Sequence, residues 1–167
     1  MPELKTVWGE NLNPEAILPE YPRPQLVREN YVNLNGRWDY AITASDAEPE
    51  HWDGEILVPF SPEAPLSGVN QTLLPEQTLW YRQEIQETRR EGQRLLLHFG
   101  AVDQEAKIYV NGKLAGAHLG GYTAFTVELT EFLTDGPSVL TVAVSVWNTS
   151  LTESFGFNPE AVAEKPG

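Results

Sequence analysis

Apolar and polar residues alternate in several short stretches of this chain, and each such stretch predicts a β-strand. Residues 106–110 show the pattern clearly, with three aliphatic side chains on one predicted face: Ala106, Ile108 and Val110. Side chains two positions apart share one face of a strand. The pair Asn111–Gly112 follows directly, and both residues tolerate the positive φ that a type I′ turn requires. The segment around this pair therefore predicts a β-hairpin.

The same alternation predicts strands along most of the chain. Those outside the hairpin lie at Gly36–Thr43, 55–58, 79–87, 93–99, 125–129 and 139–147. A long loop at 61–76 has no regular period, and one helical turn is expected at 131–133. About eight short strands with turn residues between them, and almost no helix, predict an all-β sandwich of antiparallel strands.

The pattern also predicts which side chains face the core. In the first strand, the predicted half-buried face consists of Trp38, Tyr40 and Ile42, which alternate with Arg37, Asp39 and Ala41. Near 125–130, the inward residues are Phe125, Val127 and Leu129, and the outward residues are Thr126, Glu128 and Thr130. The last strand is expected to bury Leu140, Val142, Val144 and Val146.

The N-terminal part differs from the rest because it is rich in proline. Proline disfavours both helices and central strands, so residues 1–29 are predicted to form an extended arm, with one helical turn started by Asn13 and Pro14. Residues 30–150 then form the sandwich domain. Residues 151–167 lose the alternation and are interpreted as a linker toward downstream domains.

Composition and charge exclude several partners. The chain has 167 residues, no cysteine and a net charge of −13, so a nucleic acid or an anionic membrane surface would be repelled. No stretch approaches the roughly 18 apolar residues of a membrane span, and the N-terminus lacks the basic and apolar regions of a signal peptide. A cytoplasmic, bacterial protein is expected.

A series of motifs in this order resembles one known family, the glycoside hydrolases of family 2. The segments that carry the resemblance are Tyr21-Pro22-Arg23-Pro24, Leu34-Asn35-Gly36-Arg37-Trp38, Val58-Pro59, Leu79-Trp80-Tyr81-Arg82, Arg94 to Phe99, Ala101-Val102-Asp103, Val110-Asn111-Gly112, and His118-Leu119-Gly120-Gly121-Tyr122 with Phe125. They are similar to the N-terminal sugar-binding domain of the β-galactosidases, β-glucuronidases and β-mannosidases. The resemblance implies a jelly-roll, galactose-binding-like sandwich with carbohydrate as its partner.

The resemblance also implies where catalysis takes place. The family's acid/base Glu follows an Asn on a strand of a TIM barrel, its nucleophile Glu lies in the same barrel, and this chain contains no Asn-Glu pair. Retaining hydrolysis needs two such carboxyl groups, so no catalytic residue is assigned to this chain. An immunoglobulin-like domain and a TIM barrel are the expected partners within the parent enzyme. Neither a cofactor nor a metal is predicted, although a structural Ca²⁺ near Asp46, Asp53 or Asp103 stays open.

Four residues are candidates for contact with a sugar. In the β-galactosidase branch, a loop of this domain contributes an Asn to the substrate pocket, and Asn70 with Gln71 is the nearest match. Trp80 is a candidate because aromatic rings stack on sugars, and His118 because an imidazole can bind a hydroxyl. Packing in the core is the alternative for Trp80. For His118 the alternative is a hydrogen bond that fixes the chain corner at Gly120-Gly121.

The Gly120-Gly121 pair is interpreted as a corner whose backbone conformations with positive φ let Tyr122 turn inward. Two other functions stay open for the whole chain. It could be a stand-alone carbohydrate-binding module, or a purely structural interaction domain.

Overall fold

The computed structural model describes residues 6–20, 24–27, 30–88 and 91–145. Its strands are β1 (Gly36–Thr43), β2 (Gly54–Val58), β3 (Thr78–Ile85), β4 (Leu96–Phe99), β5 (Glu105–Val110), β6 (Lys113–Leu119), β7 (Phe125–Glu128) and β8 (Ser138–Ser145). One short helix, α1 (Val7–Glu10), precedes them, and 3₁₀ turns occupy Pro24–Leu26, Pro65–Ser67 and Thr130–Phe132. The predicted all-β class is confirmed.

The chain divides into two compact units. Among the described residues, the first comprises those up to Asp39 together with Gly54–Thr72, and the second comprises Tyr40–Asp53 together with those from Leu73 to Ser145. The predicted division into an arm, a domain and a linker stays a prediction, and its linker at 151–167 lies outside the described residues. No helix in the described part is long and apolar enough to cross a membrane.

The division between the units falls within β1, and β2 pairs with β1 in the first unit. At Asn13, where one helical turn was predicted, the side chain accepts a 3.1 Å hydrogen bond from the Glu15 backbone and the Ala16 backbone donates to Asn13 O at 3.1 Å, so the cap and a single hydrogen-bonded turn are present but no helix follows. The helix begins earlier, where the hydroxyl of Thr6 caps it by accepting from the Gly9 backbone at 3.2 Å. A hydroxyl at the N-cap that accepts from the backbone N–H three residues later stabilises the first turn of a helix.

In the second unit, one sheet has the strand order β1-β3-β8-β5-β6, and β4 pairs with β7 in another. The pairs β3–β8, β5–β8, β5–β6 and β4–β7 are antiparallel. The predicted hairpin is confirmed: β5 and β6 flank Asn111 and Gly112, whose φ angles are 51° and 74°. The central strand β8 buries Leu140, Val142 and Val144 as predicted, and its opposite face is buried as well at Thr141 and Ala143.

The two sheets of this unit meet where β6 faces β7. Gly116 lies opposite Ile108 in the register, and a Cβ placed on it would lie 3.0 Å from both methyl carbons of Val127. His118, two positions along β6, stacks on Phe125, two positions back along β7, with 4.1 Å between ring centroids. The missing side chain at Gly116 therefore lets the sheets approach each other.

Two predictions about inward and outward residues are wrong. In β1, Trp38 is buried as predicted and Tyr40 and Ile42 are half-buried, but Ala41 is buried instead of facing outward, because it packs against Trp80 and Ala143 on the neighbouring strands. Thr130 is buried instead of exposed, and its hydroxyl accepts a 3.0 Å hydrogen bond from the backbone of Leu95. A hydrogen-bonded hydroxyl can be buried at little cost. The predicted Val146 lies outside the described residues.

Candidate functional site

The 61–76 loop carries two of the four predicted contacts, in the first unit. Asn70 has a positive φ of 54° and is exposed, as is Gln71. The buried hydroxyl of Ser67 holds the loop by donating to Pro62 O at 3.3 Å and accepting from Val69 N at 3.0 Å. The Gln71 backbone also donates to Pro62 O at 2.9 Å. These hydrogen bonds give the loop a defined conformation. A contribution of Asn70 and Gln71 to a substrate pocket stays a prediction.

Trp80 lies in the core of the second unit. Its side chain is 1% exposed and packs against Ala41 and Ala143, and its indole N–H donates to Thr43 Oγ1 at 3.1 Å. Core packing, the alternative weighed for this residue, is therefore confirmed. Stacking on a sugar needs an exposed ring face, and the position of Trp80 offers no support for that role.

The loop 44–53 contributes polar side chains beside Trp80. Asp46 accepts a 3.3 Å hydrogen bond from Thr78, and Glu48 accepts a 3.2 Å hydrogen bond from Thr141. The cavity near Asp46 and Trp80 has a volume of about 10 Å³, which is about the space of one water molecule. A pyranose ring does not fit there, so these contacts serve to hold the loop.

His118 lies on the other face of the sheet. The register aligns His118 with Ala106, Val144 and Leu79 in one cross-strand row, while Trp80 pairs with Ala143 in the adjacent row. Side chains in adjacent rows point to opposite faces. Trp80 and His118 therefore do not belong to one site.

The partners of His118 match the corner-fixing role. Its Nε2 lies 3.2 Å from Thr123 Oγ1, and its ring stacks on Phe125 at an interplanar angle of 12°. Phe99 continues the stack at 4.7 Å from Phe125. The alternative of a structural hydrogen bond is confirmed, whereas contact with a sugar hydroxyl stays a prediction.

The residues Gly120–Thr123, which we call the corner, lie in the connection between β6 and β7. Gly120 has a φ of 122° and donates its backbone N–H to Gln104 O at 2.8 Å. The side chain of Asp103 lies so close to Gly121 that an added Cβ would be 2.3 Å from Asp103 Oδ1. Contacts of this kind fix the backbone path of the corner.

The prediction that Tyr122 turns inward is wrong. Tyr122 is 97% exposed, because the corner is held by Gln104 and Asp103 in a path that directs this residue to solvent. Sequence reasoning missed it as a candidate binding residue. No local signal showed its exposure, because the glycine pair allows either direction and the contacts with Gln104 and Asp103 decide the path.

One ion pair perturbs the protonation of surface groups. Arg94 Nε donates to Glu128 Oε1 at 2.9 Å, and Nη2 donates to Oε2. The hydrogen bonds from Arg94 lower the pKa of the Glu128 carboxyl, and they raise the pKa of the guanidinium in turn. Because both side chains are exposed, this pair ties β7 to the segment before β4 instead of tuning a catalytic group.

The described residues show no grouping that could coordinate a metal ion with three His, Asp or Glu side chains. The aspartates considered for Ca²⁺ have separate roles. Asp53 accepts from the Ile42 backbone at 2.9 Å, Asp46 accepts from Thr78, and Asp103 packs on Gly121.

Comparison with known proteins identifies the family. The model for "Glycosyl hydrolases family 2, sugar binding domain" matches residues 65–154, more than half of the chain. The chain therefore belongs to glycoside hydrolase family 2, and the matched part is its sugar-binding domain. The strands β3 to β8, the β5–β6 hairpin and the corner all lie within the match.

Named relatives agree with this assignment. A candidate β-glucuronidase of Formosa agariphila is 38% identical over 127 residues, which cover 67% of this chain and 14% of that protein. A β-galactosidase of Thermoanaerobacter pseudethanolicus is 40% identical over 68 residues, covering 40% of this chain and 9% of that protein.

A solved structure agrees as well. A β-glucuronidase of an uncultured Clostridium species superposes with a TM-score of 0.54 at 28% identity, covering 67% of this chain and 21% of that one. The chain thus spans less than a quarter of the length of each relative named here. This domain is one part of those larger proteins.

Proposed function

We propose that this chain is the N-terminal sugar-binding and scaffold domain of a retaining glycoside hydrolase of the β-glucuronidase or β-galactosidase type. The parent enzyme acts on terminal β-glycosides in carbohydrate metabolism. The observation that carries this proposal is the family match over residues 65–154, in a chain that spans 9% to 21% of its named relatives.

Catalysis is assigned to the rest of the parent enzyme. Retention requires a nucleophilic carboxylate and an acid/base carboxyl group about 5–5.5 Å apart on the two sides of the scissile bond. In this proposal both groups are glutamates of a TIM barrel, which an immunoglobulin-like domain connects to this chain. The sandwich domain of this chain supports the barrel.

The 61–76 loop is the part of this domain that we assign to the rim of the active site. Support comes from its conformation: Ser67 is buried and holds the loop by side-chain hydrogen bonds, while Asn70 and Gln71 are exposed. Side chains on a held loop can position a substrate with little loss of conformational entropy on binding.

The test is hydrolysis by the protein encoded by the complete reading frame. It is expected to release nitrophenol from p-nitrophenyl β-glucuronide or β-galactoside, and NMR of the first product is expected to show the β-anomer. The 167-residue chain alone serves as the control and should release none. Hydrolysis by this chain alone, or an α-anomer as first product, would contradict the proposal.

A further inference from the structure

Exposed aromatic rings are the places where this chain could stack on a sugar. Three large aromatic side chains are exposed in the described part of the chain: Tyr122 at 97%, Trp8 at 85% and Tyr31 at 40%. A pyranose presents an apolar face to such a ring and hydroxyl groups around its edge. A binding subsite therefore needs an exposed ring with polar groups beside it.

The residues on either side of Tyr122 in the chain bring polar groups into the corner. The carboxylate of Asp103 lies against Gly121, the residue before Tyr122, and the hydroxyl of Thr123 follows directly in the chain. A carboxylate accepts hydrogen bonds from sugar hydroxyls, and a threonine hydroxyl both donates and accepts. Trp8 lies in the four-residue helix α1 with Val7, another exposed apolar side chain, beside it.

The corner that carries Tyr122 is also held in place from both sides. On the β6 side, the Gly120 backbone donates to Gln104 O at 2.8 Å. On the β7 side, Thr123 Oγ1 lies 3.2 Å from His118 Nε2, and the His118 ring is stacked on Phe125. A ring on a held backbone loses less entropy when it binds a ligand than a ring on a mobile loop.

We propose that Tyr122, with Asp103 and Thr123 beside it, forms a carbohydrate subsite for a neutral pyranoside. This inference rests on the sugar-binding part of the proposed function and names the residues that perform it. The Asp103 carboxylate and the net charge of −13 favour a neutral sugar over a uronate. A single ring with few polar partners implies weak binding, with a Kd on the order of 10 mM.

The experiment is an NMR titration of the ¹⁵N-labelled 167-residue chain with methyl β-D-galactopyranoside. Saturable amide shifts are expected at Gly120, Gly121 and Thr123. Tyr122→Ala is expected to weaken binding at least tenfold, and Asp103→Asn several-fold. Trp8→Ala removes a similarly exposed ring elsewhere and should leave the Kd unchanged. Sodium glucuronate is expected to bind more weakly than the galactoside.

Three outcomes would overturn the inference. They are the absence of saturable shifts in the wild-type chain, unchanged binding in Tyr122→Ala, and shifts that lie away from the corner. Tighter binding of glucuronate would overturn the assignment to neutral sugars. If the complete protein hydrolyses glycosides but this chain binds no sugar, the subsite is refuted while the proposed function stands.

Discussion

The substitution Gly116→Ala tests whether the two sheets of the second unit meet as described. The new Cβ would lie 3.0 Å from both methyl carbons of Val127 and 3.6 Å from its Cβ. Carbon atoms in van der Waals contact prefer about 3.5–4.0 Å. Because Val127 is buried and its branched side chain has few rotamers, it cannot rotate away, and β6 and β7 must separate slightly.

The expected magnitude is the difference of two effects. Forcing an extra carbon into a packed core costs about 1–3 kcal/mol. Replacing glycine by alanine within a strand contributes about 0.5–1 kcal/mol of stability, since the unfolded chain loses freedom. The free energy of unfolding should therefore fall by about 1 kcal/mol, within a range of about 0–2.5 kcal/mol.

The assay is urea unfolding followed by tryptophan fluorescence. Gly100→Ala is the matched control, because a Cβ there would meet nothing within 4 Å, and it should be neutral or slightly stabilising. Val127→Ala removes the two methyl groups that Gly116→Ala would contact. In the double variant the second substitution should relieve the first, with a coupling of about 1 kcal/mol. A stabilised Gly116→Ala, or strict additivity with Val127→Ala, would refute the packing of these sheets.

Three further predictions follow from named contacts. Asn111→Ala should cost about 2–4 kcal/mol, because alanine is disfavoured at a φ of 51° and because the side chain bonds to Phe132 O and Val139 N. Trp80→Phe should cost about 1–3 kcal/mol, since it leaves a gap and removes the hydrogen bond to Thr43. Arg94→Ala should raise the NMR titration midpoint of Glu128 toward the ordinary value of 4.5, because the Arg94 hydrogen bonds hold that pKa below it. The stability that this pair contributes is present above pH 4.5 and is lost as pH falls through the lower, folded-state pKa.

Each of these has its own control. Asn111→Gly keeps the positive φ and should lose only the side-chain hydrogen bonds. An equal loss of unfolding free energy in the alanine and glycine variants would therefore contradict a contribution from the positive φ at this turn. Trp8→Phe alters an exposed ring and should change stability by less than about 0.5 kcal/mol. Arg37→Ala removes a cation that pairs with Glu15 and Glu55, and it should leave the Glu128 midpoint in place. An unchanged midpoint in Arg94→Ala would refute the assigned cause.

Local chemistry made the hairpin and most strands predictable. Asn111 and Gly112 prefer the positive φ of a type I′ turn, and the alternation in 106–110 depends only on the pleat of one strand. The same reasoning located β1 and β2 to within one residue, because Gly and Pro mark strand ends in the sequence.

The alternation pattern predicted burial wrongly where a neighbouring strand covers the side chain. Ala41, predicted to face outward, is buried because Trp80 and Ala143 on neighbouring strands pack against it. Trp80 itself was a candidate for sugar stacking until its neighbours showed it to be enclosed. An alternation pattern identifies two faces but does not determine how completely each is covered.

By itself, then, the sequence determined the fold class, the hairpin and the family, since turn residues and strand periodicity act over a few positions of the chain. Only the tertiary structure decided that Trp80 is enclosed, that Gly116 lets two sheets approach, and that Tyr122 projects into solvent. All three features depend on residues distant in sequence. For Tyr122, the hydrogen bond from Gly120 to Gln104 and the contact of Asp103 with Gly121 direct the corner outward. Burial and exposure of this kind result from packing between strands, which a local pattern does not contain.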